Sequence, residues 1–90
     1  MKGTQIRPMI NEDQVRTVAR QVVSEMIGYS LSDSETLISS GLIDSLSIFK
    51  LITLLEQKLN VSIPPGNLQP EDFDNVDWIV DTVTRVAHRK

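Results

Sequence analysis

Gly-Leu-Ile-Asp-Ser-Leu, at residues 41–46, is the stretch around which the rest of this 90-residue chain is organised. Asp44 is a favoured N-cap residue, because its side-chain oxygen can accept a hydrogen bond from a free backbone N–H of the first helical turn. Ser45 would then be the first helical residue. Its hydroxyl would lie beside unpaired N–H groups and the positive end of the helix dipole, a position suited to a phosphate. These six residues therefore predict a helix start that presents a serine hydroxyl to solvent.

The run after this stretch predicts a second helix from Ser45 to about Leu59. One face of this helix is apolar at about 100° per residue and is assigned to the core; it comprises Ile48, Leu51, Ile52, Leu55 and Leu59. A second set of side chains lies off that face and points outward: Leu46, Phe49, Lys50, Thr53 and Gln57. The pattern alone leaves open whether the two apolar members of this set form a docking surface or are exposed without a role.

Before this stretch, apolar residues recur at spacings of three and four and predict a first helix. Asn11 can cap it, with Gln14 completing a capping box, and Gly28 can end it. Its buried face comprises Val15, Val18, Ala19, Val22, Val23, Met26 and Ile27. Residues 29–41 then form a long connection, in which a short helical turn near residues 34–38 is compatible with the composition. The apolar side chains expected to hold this loop to the bundle are Leu31, Leu37, Ile38 and Leu42.

The segment after the second helix changes character. Residues 61–65, Val-Ser-Ile-Pro-Pro, cannot continue a helix and predict a turn or an extended connector. Pro70 is well placed to begin a short third helix that runs through Phe73, with Gln69 or a neighbour as its cap. Four nearby acidic side chains are expected to form a solvated face rather than a patch that steers basic partners: Glu71, Asp72, Asp74 and Asp77.

A last helix is predicted to open at Asp74 or Asn75. Its apolar face comprises Val76, Ile79, Val80, Val83 and Ala87. Trp78 lies off this face, where it can cover the edge of the bundle or contribute to a contact surface.

The composition indicates one small domain. Residues 1–10 show no periodicity and are expected to be a flexible leader, which leaves residues 11–90 as the domain. With 12 acidic and 9 basic residues the net charge is -3, which disfavours a nucleic-acid surface built on phosphate neutralisation. No apolar run has the length of a membrane span, and residues 1–8 lack the apolar core of a signal peptide. We therefore expect a cytoplasmic monomer without nucleic-acid or membrane partners.

The chain contains no cysteine. Disulfides, thiolate metal sites and a cysteine nucleophile are excluded, and any thioester must use a thiol from outside the polypeptide. Catalysis by Ser45 is disfavoured, because a serine nucleophile needs a nearby base and the one histidine, His88, lies near the C-terminus. Asp44 alone, without convergent ligands, would bind a metal poorly.

Residues 37–46, Leu-Ile-Ser-Ser-Gly-Leu-Ile-Asp-Ser-Leu, resemble the attachment motif of the acyl and peptidyl carrier proteins. The similarity continues through residues 72–77, Asp-Phe-Asp-Asn-Val-Asp, to Ile79. The resemblance implies an all-α four-helix bundle with three longer helices, a short third helix and a long loop between helices one and two. It also implies that Ser45 carries 4′-phosphopantetheine through a phosphodiester. Asp44 would support attachment as the acidic partner of the divalent cation and the transferase.

The resemblance further implies a protein that catalyses nothing itself. Its arm would hold an acyl or aminoacyl intermediate as a thioester and present it to partner enzymes. Those partners would be a phosphopantetheinyl transferase, an adenylate-forming acyl or aminoacyl ligase, and downstream acyl-processing enzymes. The surface that meets them would be built from Leu46, Phe49, Lys50 and Thr53.

The charge of the second helix departs from one branch of that family. Bacterial fatty-acid-synthesis carrier proteins have a strongly acidic second helix, whereas here Asp44 and Glu56 are balanced by Lys50 and Lys58. This shifts the expectation toward secondary metabolism and away from fatty-acid synthesis, which stays an alternative. Two other classes stay open: a helical adaptor without a prosthetic group and, ranked last, a small serine hydrolase.

Overall fold

The computed structural model describes residues 11–66 and 68–89, so the predicted leader at residues 1–10 lies outside the described residues. The elements, in chain order, are α1 (Glu12–Ile27), α2 (Ser47–Leu59), β1 (Val61–Ser62), a 3-10 helix (Pro70–Phe73), α3 (Val76–Val86) and β2 (His88–Arg89). The predicted all-α bundle of three longer helices and a short third helix is confirmed, with a two-stranded sheet added. α1 packs against both α2 and α3.

Helix α1 forms as its periodicity predicts. The Asn11 side chain caps it by accepting a hydrogen bond from the Gln14 N–H at 3.2 Å. Gly28 ends it in the left-handed conformation with φ 91°, and its N–H donates to the Ser24 carbonyl at 2.8 Å. The side chains of α1 that are buried in the core are Val15, Ala19, Val22 and Val23.

Helix α2 begins two residues later than predicted, at Ser47 rather than Ser45. The N-cap position of this helix is Leu46, and the Asp44 side chain caps the turn ahead of it, because its Oδ1 accepts from the Ser47 N–H at 2.8 Å. Ser45 and Leu46 lie in a tighter turn, in which the N–H groups of residues 47, 48 and 49 donate to carbonyls three residues earlier. Hydrogen bonds to carbonyls three residues earlier satisfy the N–H groups at a helix start, although an α-helix uses carbonyls four residues earlier. Ser45 is therefore part of a turn and is not the first residue of the helix.

The loop between α1 and α2 is packed by its own apolar side chains. Leu37 and Ile43 are buried, whereas Leu42, which was expected to help hold the loop to the bundle, is 40% exposed. Gly41 adopts φ 83°, and the Ile43 N–H donates to the Leu37 carbonyl at 2.9 Å. This reversal of the chain turns Ile43 inward in place of Leu42. Residues 34–38 form turns and bends and no helical turn.

Two short strands join the segment that follows α3 to the segment that follows α2. β1 pairs with β2 in antiparallel register, with Val61 opposite Arg89 and Ser62 opposite His88. The extended connector predicted for residues 61–65 is thus partly a strand. Ala87, predicted on the last helix, lies beyond it in extended conformation, because α3 ends at Val86 and the chain straightens into β2.

The acidic residues around the 3-10 helix do not form a simple solvated face. The Asp72 carboxylate accepts from the Gln69 N–H at 2.9 Å, the Asp74 carboxylate accepts from the loop before α2, and Asp77 contacts Arg16 at 2.7 Å. Asp74 departs most from that expectation, because its carboxylate holds the backbone of a distant loop. Asp72 caps its own 3-10 helix, and the side chain of Asp77 stays 53% exposed while it pairs with Arg16. Glu71 remains exposed.

An ion network ties the long loop to α1 and α3. Arg16 Nη1 lies 2.7 Å from both Asp33 Oδ2 and Asp77 Oδ1. Arg20 donates to Asp33 through Nε and Nη2, each at 2.8 Å. The paired hydrogen bonds of Arg20, assisted by Arg16, outweigh desolvation and lower the pKa of Asp33 from 3.8 to about 2. Because the Asp33 side chain is only 18% exposed, this network is well placed to stabilise the loop.

Asp33→Asn is expected to remove an acid-sensitive part of the stability. The folded-state pKa of Asp33 is lowered, so its contribution is present above pH 3.8 and is lost as the pH falls toward 2. The variant should be less stable than the parent by about 2 kcal/mol at pH 7 and nearly equal to it near pH 2. Urea unfolding across this range measures both differences.

The control for Asp33→Asn is Asp81→Asn. Asp81 pairs with Arg85 at 3.6 Å, and both side chains are more than half exposed, so its loss should change stability by less than about 0.5 kcal/mol. Equal pH profiles for Asp33→Asn and the parent would contradict the role given to the network.

Candidate functional site

The turn that precedes α2 carries Ser45 at the protein surface. Ser45 is exposed, and its neighbour Asp44 is exposed as well. The Ser47 N–H, then the Ser47 hydroxyl and the Leu46 N–H, lower the pKa of Asp44 by hydrogen bonding to its carboxylate. Asp44 is therefore anionic at neutral pH and is held against the backbone next to the Ser45 hydroxyl.

The loop that leads into this turn is anchored by Asp74. Its Oδ1 accepts from the N–H groups of Ile38 and Ser39 at 2.8 and 2.9 Å, and from Leu37 at 3.2 Å. The Ser39 hydroxyl donates to Oδ2. Desolvation alone would raise the pKa of Asp74, but the hydrogen bonds from Ser39, Ile38 and Leu37 together lower it.

This anchor extends through the backbone to the turn itself. The Leu37 N–H also donates to the Asp74 carbonyl at 2.6 Å, and the Leu37 carbonyl accepts from Ile43, which directly precedes Asp44. Asp74 therefore holds the loop that precedes Ser45, and Asp44 bonds to the first residue of α2, which follows Ser45 by two positions.

A groove of about 550 Å³ begins at Ser45 and runs along α2 toward the 3-10 helix. One wall is a stripe of α2 at helical spacing, formed by Phe49, Ile52, Thr53 and Glu56. The opposite wall comes from the segment after β1 and from the 3-10 helix. The residues of that wall are Ile63, Pro65, Leu68, Gln69, Pro70 and Phe73.

The four side chains predicted to meet partners do point outward. Leu46 is 78% exposed and Phe49 is 69% exposed, and Lys50 and Thr53 are exposed beside them. Leu46, Phe49 and Thr53 also line the groove, which the sequence pattern did not reveal. The spacing of residues 49, 52, 53 and 56 could have identified the α2 wall, but nothing local identified the opposite wall. The partner-binding role of these side chains stays a prediction.

The described residues give little support to three other features: a histidine base for Ser45, a metal site and a membrane-spanning helix. His88 lies in β2 opposite Ser62, and no hydrogen bond joins it to Ser45 within residues 11–66 and 68–89. Over the same residues, no group of three or more histidine, aspartate and glutamate side chains could hold a metal ion. None of the described helices combines the length and the apolar character needed to cross a bilayer.

Comparison with known proteins gives a consistent match. The family model described as "Phosphopantetheine attachment site" matches residues 17–83, a range that contains the turn, its loop and every residue that lines the groove. A D-alanyl carrier protein of Streptococcus suis is 25% identical over 76 residues, which cover 82% of this chain and 96% of the relative. The lincomycin biosynthesis protein LmbN of Streptomyces lincolnensis is 32% identical over 78 residues, which cover 87% of this chain and 28% of that protein.

Proposed function

Because this chain belongs to the phosphopantetheine attachment-site family, whose cofactor is covalently attached 4′-phosphopantetheine, we propose that it is a carrier protein that bears this group on Ser45. The observation that carries the proposal is the exposed Ser45 hydroxyl at the mouth of the groove. The neighbouring Ser47 is half-buried, and its N–H is bonded to Asp44. Ser45 is therefore the hydroxyl of this turn that an enzyme can reach.

The residues around Ser45 fit the attachment reaction. Ser45 Oγ forms a bond to the phosphorus of the pantetheine phosphate, while the bond between that phosphate and the 3′,5′-ADP half of coenzyme A breaks. The hydroxyl proton passes to a base of the transferase. Asp44, held anionic beside Ser45, attracts the divalent cation that accompanies coenzyme A. The polypeptide supplies the nucleophile and its position and performs no further catalysis.

The attached group supplies the thiol that the cysteine-free chain lacks, and this thiol holds an acyl or aminoacyl cargo as a thioester. Tethering at Ser45 raises the effective concentration of the cargo at each partner active site. The partners that this function requires are a phosphopantetheinyl transferase, an adenylate-forming ligase and downstream processing enzymes in the cytoplasm. We place the protein, as a monomer, in secondary metabolism, because the formal charge of α2 with Asp44 is balanced and one relative is named for lincomycin biosynthesis.

Two alternatives are weaker. Fatty-acid synthesis would require recognition of a neutral α2 by basic enzyme surfaces, which complementary charge does not favour. A helical adaptor without a prosthetic group would use the exposed Leu46 and Phe49 but leaves the groove at Ser45 without a role.

The proposal is tested by incubating the protein with coenzyme A, Mg²⁺ and a broad-specificity phosphopantetheinyl transferase. Intact-mass spectrometry should show one added phosphopantetheine group per chain. Peptide mapping should place it on Ser45. An unchanged mass with a transferase that modifies a control carrier protein would contradict the carrier function.

Phe49→Asp is expected to weaken partner binding without harming the fold. The Phe49 side chain is 69% exposed, so its replacement should change the unfolding free energy by less than about 0.5 kcal/mol. Loss of an aromatic anchor from an interface centre should raise the dissociation constant for the transferase by about tenfold or more. Fluorescence anisotropy of the labelled carrier measures this constant.

The matched control is Trp78→Asp, which removes an exposed aromatic of α3 that does not line the groove. It should leave transferase affinity near that of the parent. Equal losses for the two variants would show that binding responds to general surface charge and not to the α2 surface. A large loss of stability in Phe49→Asp would contradict its outward position.

A further inference from the structure

The charges of α2 are unevenly placed, although together with Asp44 they sum to zero. Lys50 and Lys58 are both exposed, whereas Glu56, the one acidic residue within the helix, is half-buried. The Glu56 carboxylate lies at the groove, where its Oε2 accepts from the Ile63 N–H at 2.8 Å. The exposed charges within α2 are therefore both positive, and they lie about 12 Å apart along the axis at a rise of 1.5 Å per residue.

Neither lysine has an acidic partner within the described part of the chain. The ion pairs among residues 11–66 and 68–89 all use an arginine as the cation. An exposed ammonium group that is not already paired can pair with a carboxylate of a second protein, and its charge influences both the approach and the choice of that protein. Lys50 and Lys58 are therefore available to a partner.

Lys50 belongs to a surface whose other members carry no charge. At 3.6 residues per turn, five outward residues of α2 and its N-cap fall within an arc of about 100°. Leu46 and Phe49 form the apolar part of this arc, since their side chains are 78% and 69% exposed. The outer surface of α2 comprises Leu46, Phe49, Lys50, Thr53 and Gln57. It combines an apolar centre with a positive edge, and Lys58 lies beyond its far end.

Charge complementarity decides which kind of protein can cover the outer surface of α2. A basic patch placed on it would bring like charges together at Lys50 and Lys58, which selects against such a partner. Carboxylates at the same places would pair with both lysines, while an apolar socket covers Phe49. The charge has the opposite sign beside Ser45, where Asp44 is anionic. The surface therefore changes from negative to positive with distance from Ser45.

We propose that the outer surface of α2 docks partner enzymes whose own docking surface is acidic, with carboxylates that meet Lys50 and Lys58 around an apolar socket for Phe49. This inference rests on the proposed carrier function. It adds the sign of the partner's charge, which the formal charge of the helix does not reveal, because Glu56 is counted in that sum but is bonded to Ile63 at the groove.

The test uses two versions of one broad-specificity phosphopantetheinyl transferase. They differ only at the rim of the surface that binds the carrier, where one version has lysines and the other has glutamates. Both versions are first shown to modify a control carrier protein. Intact-mass spectrometry then measures the kcat/KM of each version for this protein in about 0.05 M sodium chloride, where charges act over about 14 Å. No addition by either version would contradict the proposed function and, with it, this inference.

The glutamate version is expected to be the faster of the two on the parent protein, by about three- to tenfold in kcat/KM. Lys50→Glu should lower this ratio about threefold or more, because an attractive pair becomes a repulsive one. The matched control is Arg85→Glu, which changes the net charge by the same amount at an exposed position of α3. It should change the ratio by less than about twofold, because its charge lies outside the docking surface and is screened.

Three results would overturn the proposal: a parent ratio at or below one, an unchanged ratio in Lys50→Glu, or a ratio that falls as far in Arg85→Glu as in Lys50→Glu. Salt gives a further readout that needs no variant. Raising sodium chloride from about 0.05 M to about 1 M should bring the parent ratio close to one, because exposed charges are then screened. A ratio that keeps its value at high salt would show that the preference does not come from charge, and it too would overturn the proposal.

Discussion

Ser45→Ala is expected to abolish phosphopantetheine addition, whereas Ser47→Ala should be modified as fully as the parent. The two hydroxyls lie two residues apart in the same turn, but they differ in exposure. Ser45 is exposed at the mouth of the groove, while Ser47 is half-buried as the first residue of α2. Removing either hydroxyl leaves an alanine at a helix start, so the fold should persist in both variants.

The measurement is intact mass after incubation with coenzyme A and transferase, with circular dichroism as the check on folding. The parent and Ser47→Ala should each gain one cofactor mass, and Ser45→Ala should gain none because it lacks the oxygen that forms the phosphodiester. Addition to Ser45→Ala would place the attachment elsewhere. Loss of addition in Ser47→Ala would show that the Ser47 hydroxyl, which also hydrogen-bonds to Asp44, contributes to recognition along with the hydroxyl of Ser45.

The helices were predictable because their signals are local and periodic. Seven apolar residues at spacings of three and four define α1, and Asn11 and Gly28 bound it as expected. The outward position of Phe49 followed from the same geometry, since it lies off the apolar stripe of α2. The 3.6-residue period of a helix can be detected from the sequence of that helix alone.

The start of α2 shows that helix boundaries are predicted less accurately from local sequence than the helices themselves. The Asp44 carboxylate does bond to a backbone N–H at this end, but the N-cap position is Leu46, because the sequence does not distinguish a regular first turn from the tighter one that holds Ser45 and Leu46. The difference affects function, because the tighter turn places Ser45 ahead of the helix. Boundaries of this kind depend on one or two hydrogen bonds and shift by one or two residues.

Features that join distant segments could not be predicted from local patterns. Strands β1 and β2 contain two residues each, too few for an alternating pattern to be visible. The bonds of Asp33 to α1 and of Asp74 to residues 37–39 span between 13 and 37 positions of sequence. A lone aspartate carries no sign of which distant group it will bond, so the sequence predicts Asp74 only as part of the acidic face or as the start of the last helix.

The groove was missed for the same reason. Its α2 wall has helical spacing, but its opposite wall comes from residues 63–65 and 68–73, which lie against α2. Glu56 was counted only in the charge of the helix, where it cancels a lysine. The structure shows that its carboxylate instead bonds to Ile63 inside the groove. The net charge of a helix therefore gives no information about the hydrogen bonds that one of its carboxylates makes.

Asp74 is the residue whose substitution should most destabilise the loop that leads to Ser45. Its carboxylate accepts from three consecutive N–H groups, those of residues 37–39, and from the Ser39 hydroxyl. These donors lie in a loop without regular secondary structure, so no neighbouring strand or helix would replace the carboxylate. Leu37, which this anchor holds, is also a buried core residue.

Asp74→Ala is therefore expected to lower the unfolding free energy by about 2–4 kcal/mol, because the Ile38 and Ser39 N–H groups and the Ser39 hydroxyl lose their acceptor at once. The Leu37 N–H keeps the main-chain carbonyl of residue 74 as its acceptor. For a domain of this size the melting temperature should fall by about 10–25 °C. Asp74→Asn is the matched variant: its amide oxygen can still accept from the backbone, so it should lose about half as much. Thermal unfolding measures both, and transfer of phosphopantetheine at a temperature where both variants are folded should slow in the same order. A melting temperature of Asp74→Ala close to that of the parent would show that the loop ahead of Ser45 is held by its apolar contacts and not by this carboxylate.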